Sequence, residues 1–337
     1  MTRALTTTAA TTLAPADVPR VSLTSPLRPV DVSVLVPAKD EAGNLPLFMS
    51  EMAAVIREST STFEVVVIDD GSVDDSWALL GELQREFPFL VRVRHRRRRG
   101  IADALRSGYL ASQGQVLVYY PADLQYRPAD IPRLVEPILS GSVDMVTGSK
   151  QGKYEKAFVS NVYNWLSRRL FDVPVRDLNG VKAYRREVME VLPMRPEWHR
   201  YMIVVAAAEG YSVAEIPVPV YPRHAGVSKF GASRILVGML DMVSVWFELK
   251  FGRKPLLLFG GLGAVLFLVG FLTGLFALLW RIFAGQGFRP LLNLVEVCVI
   301  VGSVLFVGGL LGEQIAVQRS ELREVRRRLD VLDSSEP

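Results

Sequence analysis

The sequence predicts an α/β chain: a mostly parallel sheet flanked by helices, then interfacial helices and two C-terminal membrane-crossing helices. Three observations predict it. From Asp31 onward, β-rich apolar runs alternate with segments of helical spacing. Acid-rich turn clusters follow the second and fourth of those runs. Two long apolar stretches close the chain, and half of its 337 residues are hydrophobic. That length holds one large domain with appendages.

Residues 1–30 are rich in Thr, Ala and Pro, with Arg3 but no acid before Asp17 and no apolar core of signal-peptide length. They are expected to form a disordered tail with a faint transit-peptide character. A domain over 31–230 follows. Val32 to Val36 reads as a strand ending at Pro37, and Asn44 to Glu58 has helical spacing. Phe63 to Ile68 is a second strand, stopped by Asp69-Asp70-Gly71-Ser72, a turn with Ser72 as candidate helix cap. Leu90 to Val93, Val116 to Tyr120 and Val143 to Thr147 read as further strands. Apolar strands separated by helices imply a parallel sheet covered on both faces. Ligands of such sheets bind beyond the C-terminal strand ends, where Asp69, Asp70 and Asp123 fall.

Residues 231–254 are expected to lie in the membrane interface. Arg234 to Leu249 carries a wide apolar face of Ile235, Leu236, Met239, Leu240, Met242, Val243, Trp246 and Phe247, followed by Lys250, Arg253 and Lys254. A core helix is the alternative. Residues 255–312 form the anchor. Leu256 to Trp280 has no charged residue, and Leu291 to Gly312 has only Glu296, and about 20 apolar residues span a bilayer. Arg253 and Lys254 precede the first span and Arg319, Arg323 and Arg326 to Arg328 follow the second, so both ends are expected in the cytoplasm. The single cysteine, Cys298, excludes an internal disulfide. In the tail, 313–337, Ile315, Leu322, Val325, Leu329 and Leu332 approach heptad spacing, a surface on which copies of the chain could form a homo-oligomer, dimer or tetramer.

Six motifs stand in order along the chain. They are Val34-Leu35-Val36-Pro37-Ala38-Lys39-Asp40-Glu41, Val67-Ile68-Asp69-Asp70-Gly71-Ser72, Arg99-Gly100-Ile101-Ala102-Asp103-Ala104-Leu105, Ala122-Asp123-Leu124-Gln125, Asp177 to Arg186, and Gly226-Val227-Ser228-Lys229-Phe230-Gly231. Together they resemble family 2 glycosyltransferases, in the branch of dolichol-phosphate mannose synthases and bacterial polyprenyl-phosphate glycosyltransferases. The resemblance runs from about Val32 to Pro255. It implies a nucleotide-sugar-binding fold of the GT-A type and an inverting transfer of one sugar from a nucleotide-diphosphate sugar to a polyprenyl phosphate. The expected location is a bacterial inner membrane, with the catalytic domain cytoplasmic.

By the same resemblance, Pro37, Lys39, Glu41, Asp69, Asp70 and Asp123 line the nucleotide-sugar pocket. Asp123 and Gln125 would hold Mg²⁺ or Mn²⁺, a hard cation that takes oxygen ligands and neutralises a leaving diphosphate. One residue apart beyond a strand end, they face one cation if the segment stays extended. Where the family has a first Asp, this chain has Pro121. Asp123, Gln125 and Arg200 are the residues expected to carry the chemistry.

A phosphate monoester is already anionic near neutral pH and needs no general base. Where processive synthases carry an acidic base motif, the chain has Trp198-His199-Arg200-Tyr201, and Gln-x-x-Arg-Trp is absent. Lys150, Lys156, Arg223, Ser228 and Lys229 are candidate ligands of the lipid phosphate. Arg94 to Arg99 is a basic run without interleaved aromatics or a recognition module, so no nucleic-acid partner is expected. Two other readings stay open: transfer to a lipid or glycan hydroxyl, and a catalytically silent scaffold, motivated by Pro121.

Overall fold

The computed structural model describes residues 30–151, 224, 167–222 apart from 168, 172, 174, 176, 193, 194, 196 and 197, and 233–333 apart from 253, 286 and 288. The expected N-terminal tail, Lys156, Arg223, Ser228 and Lys229 lie outside them. The chain divides into two compact units, Met1–Ile235 and Leu236–Pro337.

In the first unit seven strands form one sheet. They are β1 (Val32–Ala38), β2 (Phe63–Asp69), β3 (Leu90–Arg94), β4 (Val116–Tyr119), β5 (Met145–Gln151), β6 (Lys182–Arg185) and β7 (Val213–Pro219), in the order β3-β2-β1-β4-β6-β5-β7. The helices are α1 (Leu45–Glu58), α2 (Ser76–Glu86), α3 (Ile101–Ala111), α4 (Ile131–Leu139), α5 (Arg186–Val191) and α6 (Met202–Ala208). β1 pairs parallel with β2 and β4, β2 with β3, and β5 with β7.

The apolar runs of β1 and β2 are buried because both faces are covered. Val32, Val34 and Val36 share a core with Leu45, Phe48, Met49 and Met52 of α1. On the other face α3 comes so close that a Cβ on Gly108 would sit 2.8 Å from Ile68 Cδ1. Burying each such Val, Leu or Phe stabilises the fold by about 1.5–3 kcal/mol.

Two features differ from the sequence reading. β6 runs antiparallel between β4 and β5, and its four residues include Lys182 and Arg185, too polar to read as a central strand. β5 begins at Met145 and extends to Gln151, two residues later and four further than expected. The Val143 amide bonds the Pro137 carbonyl instead of the sheet, and pairing with β7 carries the polar end Ser149-Lys150-Gln151. With β6 reversed, β1, β2, β3, β4, β5 and β7 all end on the edge where β6 begins.

The second unit contains most of α7 (Ser233–Phe251), with α8 (Pro255–Ala284) and α9 (Arg289–Asp333). α8 and α9 are each long and apolar enough to cross a membrane. Leu268, Phe271, Leu275, Val304 and Leu311 are exposed, as side chains facing lipid would be and those of a core hairpin would not. Glycines let the two backbones approach. A Cβ on Gly263 would lie 2.7 Å from the Gly302 carbonyl oxygen, and one on Gly309 would lie 2.8 Å from the Gly260 nitrogen. The Glu313 carboxylate accepts from the Leu256 amide at 3.2 Å, placing an anion at the positive end of α8. Arg319 pairs with Glu248 of α7 at 3.1 Å. Val237, Met239, Leu240 and Val243 of α7 are exposed, whereas Met242 and Val245 are buried. The heptad-spaced tail continues the second span without a break to Asp333.

Gly285 closes α8 with φ 69°, a left-handed residue that a side chain would strain, whereas nothing crowds Gly287. With Cys298 replaced by Ala, a cysteine at position 287 should react with an impermeant maleimide added outside intact cells. Reaction only after permeabilisation would overturn the orientation read from the charges.

Candidate functional site

The site is built where the strands end. The loop leaving β1 is zipped to the loop leaving β2. Lys39 Nζ donates to the Gly71 carbonyl at 3.0 Å and pairs with Asp40 at 3.1 Å. The Asp40 amide donates to Ser72 Oγ at 2.9 Å, and its carboxylate accepts from the Val73 amide at 2.9 Å. The Glu41 amide donates to Ser76 Oγ at 3.0 Å, while its carboxylate accepts from Asn44 Nδ2 at 2.6 Å. Ser72 therefore caps no helix: α2 starts at Ser76 after Asp75, because the Ser72 hydroxyl serves the facing loop. Asp40 has φ 54°, a left-handed backbone that Asn and Asp tolerate best. Pro37 is half-buried in β1, beside Ile68.

Asp69 and Asp70 are buried. Asp69 accepts from the Ser72 amide at 2.8 Å, and its second oxygen lies 3.2 Å from Arg94 Nε, ion-pair distance without hydrogen-bond geometry. Asp70 gathers more. His95 Nδ1 lies 2.8 Å from Oδ1, the Arg99 amide donates to Oδ1 at 2.7 Å, and the Gly100 amide donates to Oδ2 at 2.8 Å. His95 Nε2 in turn lies 2.9 Å from Ser107 Oγ on α3. Burial pushes the Asp70 carboxyl up, but the His95 and backbone hydrogen bonds outweigh it and hold the group below its usual 3.8. The arginine run is thus moored by its backbone, with Arg96 to Arg99 exposed. It packs so tightly that a Cβ on Gly71, φ 71°, would sit 2.7 Å from the Arg98 nitrogen.

After β4 the chain makes a pinched loop. Tyr120 hydroxyl donates to the Tyr126 carbonyl, and burial, with the nearby Glu51 and Asp123 charges, keeps that phenol protonated. Inside the pinch the backbone turns instead of extending: Leu124 has φ 55°, and Asp123 Oδ1 accepts from the Gln125 amide at 3.2 Å. Burial nevertheless alternates, with Ala122, Leu124 and Tyr126 inside and Pro121, Asp123 and Gln125 half-buried. Asp123 and Gln125 offer hard oxygen donors, a set that suits Mg²⁺ or Mn²⁺ when phosphate oxygens and water complete the shell. Among the described residues no group of three His, Cys, Asp or Glu is placed to hold a metal ion. The Gln125 carbonyl accepts from the Tyr221 amide at 2.9 Å, and Arg127 lies over the Tyr221 ring while pairing with Glu51 at 2.5 Å.

Lys150 on β5 and Arg200 in the 3₁₀ turn Trp198–Tyr201 each lie within electrostatic range of Lys182. Asp177 pairs with Lys150 at 3.7 Å. His199 is buried, edge-on to Tyr119 with ring centroids 6.2 Å apart. Lys182 Nζ lies 5.8 Å from the same Tyr119 ring. Burial takes Lys182 down to about 7, with Asp177 opposing and Lys150 and Arg200 adding to the fall. Pro37, Lys39, Glu41, Asp69, Asp70, Asp123, Gln125, Lys150 and Arg200 all lie in or just beyond the strand ends at one sheet edge or, for Arg200, in charge contact with Lys182 there. His95, Ser107, Asp177 and Lys182 were not singled out from the sequence. Asp177 and Lys182 stood inside a quoted motif, whereas His95 was hidden in the arginine run.

The family model for Glycosyl transferase family 2 matches residues 33–188. An undecaprenyl-phosphate 4-deoxy-4-formamido-L-arabinose transferase of Pseudomonas aeruginosa is 32% identical over 88% of this chain and 88% of its own length. A dodecaprenyl-phosphate galacturonate synthase of Rhizobium johnstonii is 27% identical over 86% and 89%. Among solved structures, glucosyl-3-phosphoglycerate synthase of Mycobacterium tuberculosis, crystallised with Mn²⁺, UDP and glucosyl-3-phosphoglycerate, superposes with TM-score 0.52. It is 18% identical and covers 65% of this chain and 80% of its own, a likeness of fold.

Replacing Asp70 by Ala would strand His95 and two backbone amides, at a cost of about 2–4 kcal/mol. Thermal unfolding of the purified full chain should show that loss. Asp103→Ala, which breaks the exposed pair with Arg99 and removes the acid from the first turn of α3, should shift stability by no more than about 1 kcal/mol. Because the folded Asp70 pKa is depressed, its contribution is present above 3.8 and fades as pH falls through the lower folded value. Equal stability of Asp70→Ala and Asp103→Ala would refute this role.

Proposed function

The chain belongs to glycosyl transferase family 2, and on that premise we propose that it moves one sugar from a nucleotide-diphosphate sugar to a polyprenyl phosphate. The observation that carries this reading is the reach of the similarity to a polyprenyl-phosphate sugar transferase. It covers 88% of the chain, more than the first unit contains, so the shared sequence extends into the membrane helices as well as the catalytic fold. The reaction takes place at the cytoplasmic face of a bacterial inner membrane, with α8 and α9 as anchor. Copies of the chain associate, as dimer or tetramer, along the exposed Ile315, Leu322 and Val325 of α9.

In this reading the walls zipped by Asp40, Ser72 and Ser76 hold the nucleotide, with Pro37, Lys39, Glu41, Asp69 and Asp70 forming or bracing them. Asp123 and Gln125 hold Mg²⁺ or Mn²⁺, which offsets charge on the diphosphate. Lys150 and Arg200, with Lys156, Arg223, Ser228 and Lys229, hold the acceptor phosphate. An oxygen of that phosphate forms the new bond to the anomeric carbon, the bond to the nucleoside diphosphate breaks with its electron pair, and the configuration inverts. The nucleophile arrives ionised, so the protein's work is positioning and charge compensation.

The test is a panel of radiolabelled nucleotide-sugars incubated with undecaprenyl phosphate and the detergent-purified protein. An acid-labile labelled lipid is expected from at least one donor. Label in an acid-stable lipid would point to a hydroxyl acceptor, and donor binding without transfer to a silent scaffold.

Asp123→Asn should abolish transfer in Mg²⁺ or Mn²⁺ while the protein stays folded, and Pro121→Asp should be tolerated. Initial rates against metal concentration, with EDTA controls, check both. Wild-type turnover by Asp123→Asn would remove Asp123 from the metal site.

A further inference from the structure

One buried charge has no part in the mechanism above. Lys182 opens β6 in the middle of the sheet, opposite Tyr119 of β4 and Thr147 of β5, and is 1% exposed. A methionine would fill similar space without the cost of burying an ammonium. Its Nζ donates to the Leu178 and Gly180 carbonyls, each at 2.9 Å. Those carbonyls belong to the turn in which Asp177 accepts from the Asn179 amide at 2.9 Å, from the Lys150 amide at 3.4 Å, and pairs with Lys150 Nζ. From β7, Glu215 accepts the Asp177 amide at 3.0 Å. Among the described residues, the charged and titratable groups around Lys182 are Asp177, Lys150 on β5, Arg200 on the 3₁₀ turn and Tyr119 on β4, with His199 and Glu215 one contact beyond.

We propose that Lys182 is a positioning residue for the acceptor-phosphate end of the site: its protonated form holds the turn from which Asp177 fixes Lys150. This rests on the assignment of Lys150 and Arg200 to the acceptor phosphate. The two carbonyl bonds are stronger when the amine is charged. Lys150 and Arg200 repel that charge, and with burial they bring Lys182 down to about 7. A phosphate dianion between Lys150 and Arg200 offsets the repulsion. Binding then transfers a proton from solvent to Lys182 Nζ, and the positioned state of the turn is locked by the ligand it serves. The sign follows from linkage. The bound protein has the higher Lys182 pKa, so affinity weakens as pH rises above about 7, by up to about tenfold per pH unit.

The experiment uses the full chain in detergent and farnesyl phosphate as probe. Calorimetric titrations at pH 8, in buffers of different ionisation enthalpy, count the protons taken up. At that pH the phosphate is already a dianion. Wild type should take up a large fraction of one proton and bind several-fold more tightly at pH 7 than at pH 9. Lys182→Arg, charged throughout, should bind with a flat pH profile and no uptake. Lys182→Met should bind about tenfold more weakly, also without uptake. Binding by wild type without proton uptake, or uptake that persists in Lys182→Arg, overturns the proposal and leaves the acceptor reading intact. If neither variant folds, the wild-type proton count decides. Absence of farnesyl phosphate binding to wild type sinks the acceptor reading and this inference with it.

Discussion

The first unit is organised around a buried anion, the Asp70 carboxylate at the mouth of β2. A charge in that position is expensive unless it is surrounded by donors. Here His95 and the amides of Arg99 and Gly100 supply them. Because those donors come from the loop between β3 and α3, the anion sets the direction in which α3 starts. Gly71, the next residue, leaves only enough room for the arginine loop to lie against it. Lys39 then reaches the Gly71 carbonyl from β1. Loops after the first three strands are thereby tied to one another through one residue pair.

The second unit solves a different problem with different means. In a bilayer two apolar helices gain little from hiding apolar surface against each other. α8 and α9 instead approach at Gly260 with Gly309 and at Gly263 with Gly302, where backbone meets backbone and dispersion contacts are dense. Among the described residues, polar contacts lie at one end, where Glu313 receives the Leu256 amide and Arg319 meets Glu248. These fix the register of the hairpin and the attachment of α7, which glycine packing alone would leave free to slide.

Much of this was legible in the sequence where one physical signal dominated. The buried runs of β1 and β2 had no competing interpretation, and the two spans are apolar for longer than a soluble core requires. The edge carrying Asp69, Asp70 and Asp123 followed from the parallel topology. What was hidden depended on long-range pairing. β6 holds its place through hydrogen bonds to β4 and β5 although its own residues include Lys182 and Arg185. Ser72 has the chemistry of a helix cap, yet its hydroxyl is taken by an amide 32 residues earlier in the chain. The segment around Asp123 turns at Leu124, a residue whose side chain gives no hint of a left-handed backbone. His95 looked like part of a solvated basic run, and only the fold shows that it points inward.

The unbroken course of α9 has a mechanical meaning. From Arg289 to Asp333 it is one rod of 45 residues, about 67 Å long, more than twice the thickness of a hydrocarbon core. A break where the helix leaves the bilayer would isolate its outer part from events inside; no break interrupts this one between Arg289 and Asp333. If a change in bilayer thickness tilts the embedded half by 10°, the roughly 30 Å beyond Gly312 swings its far end sideways by about 5 Å. The C-terminal end is in effect the pointer of a gauge, and its scale is the thickness of the membrane in which the enzyme sits.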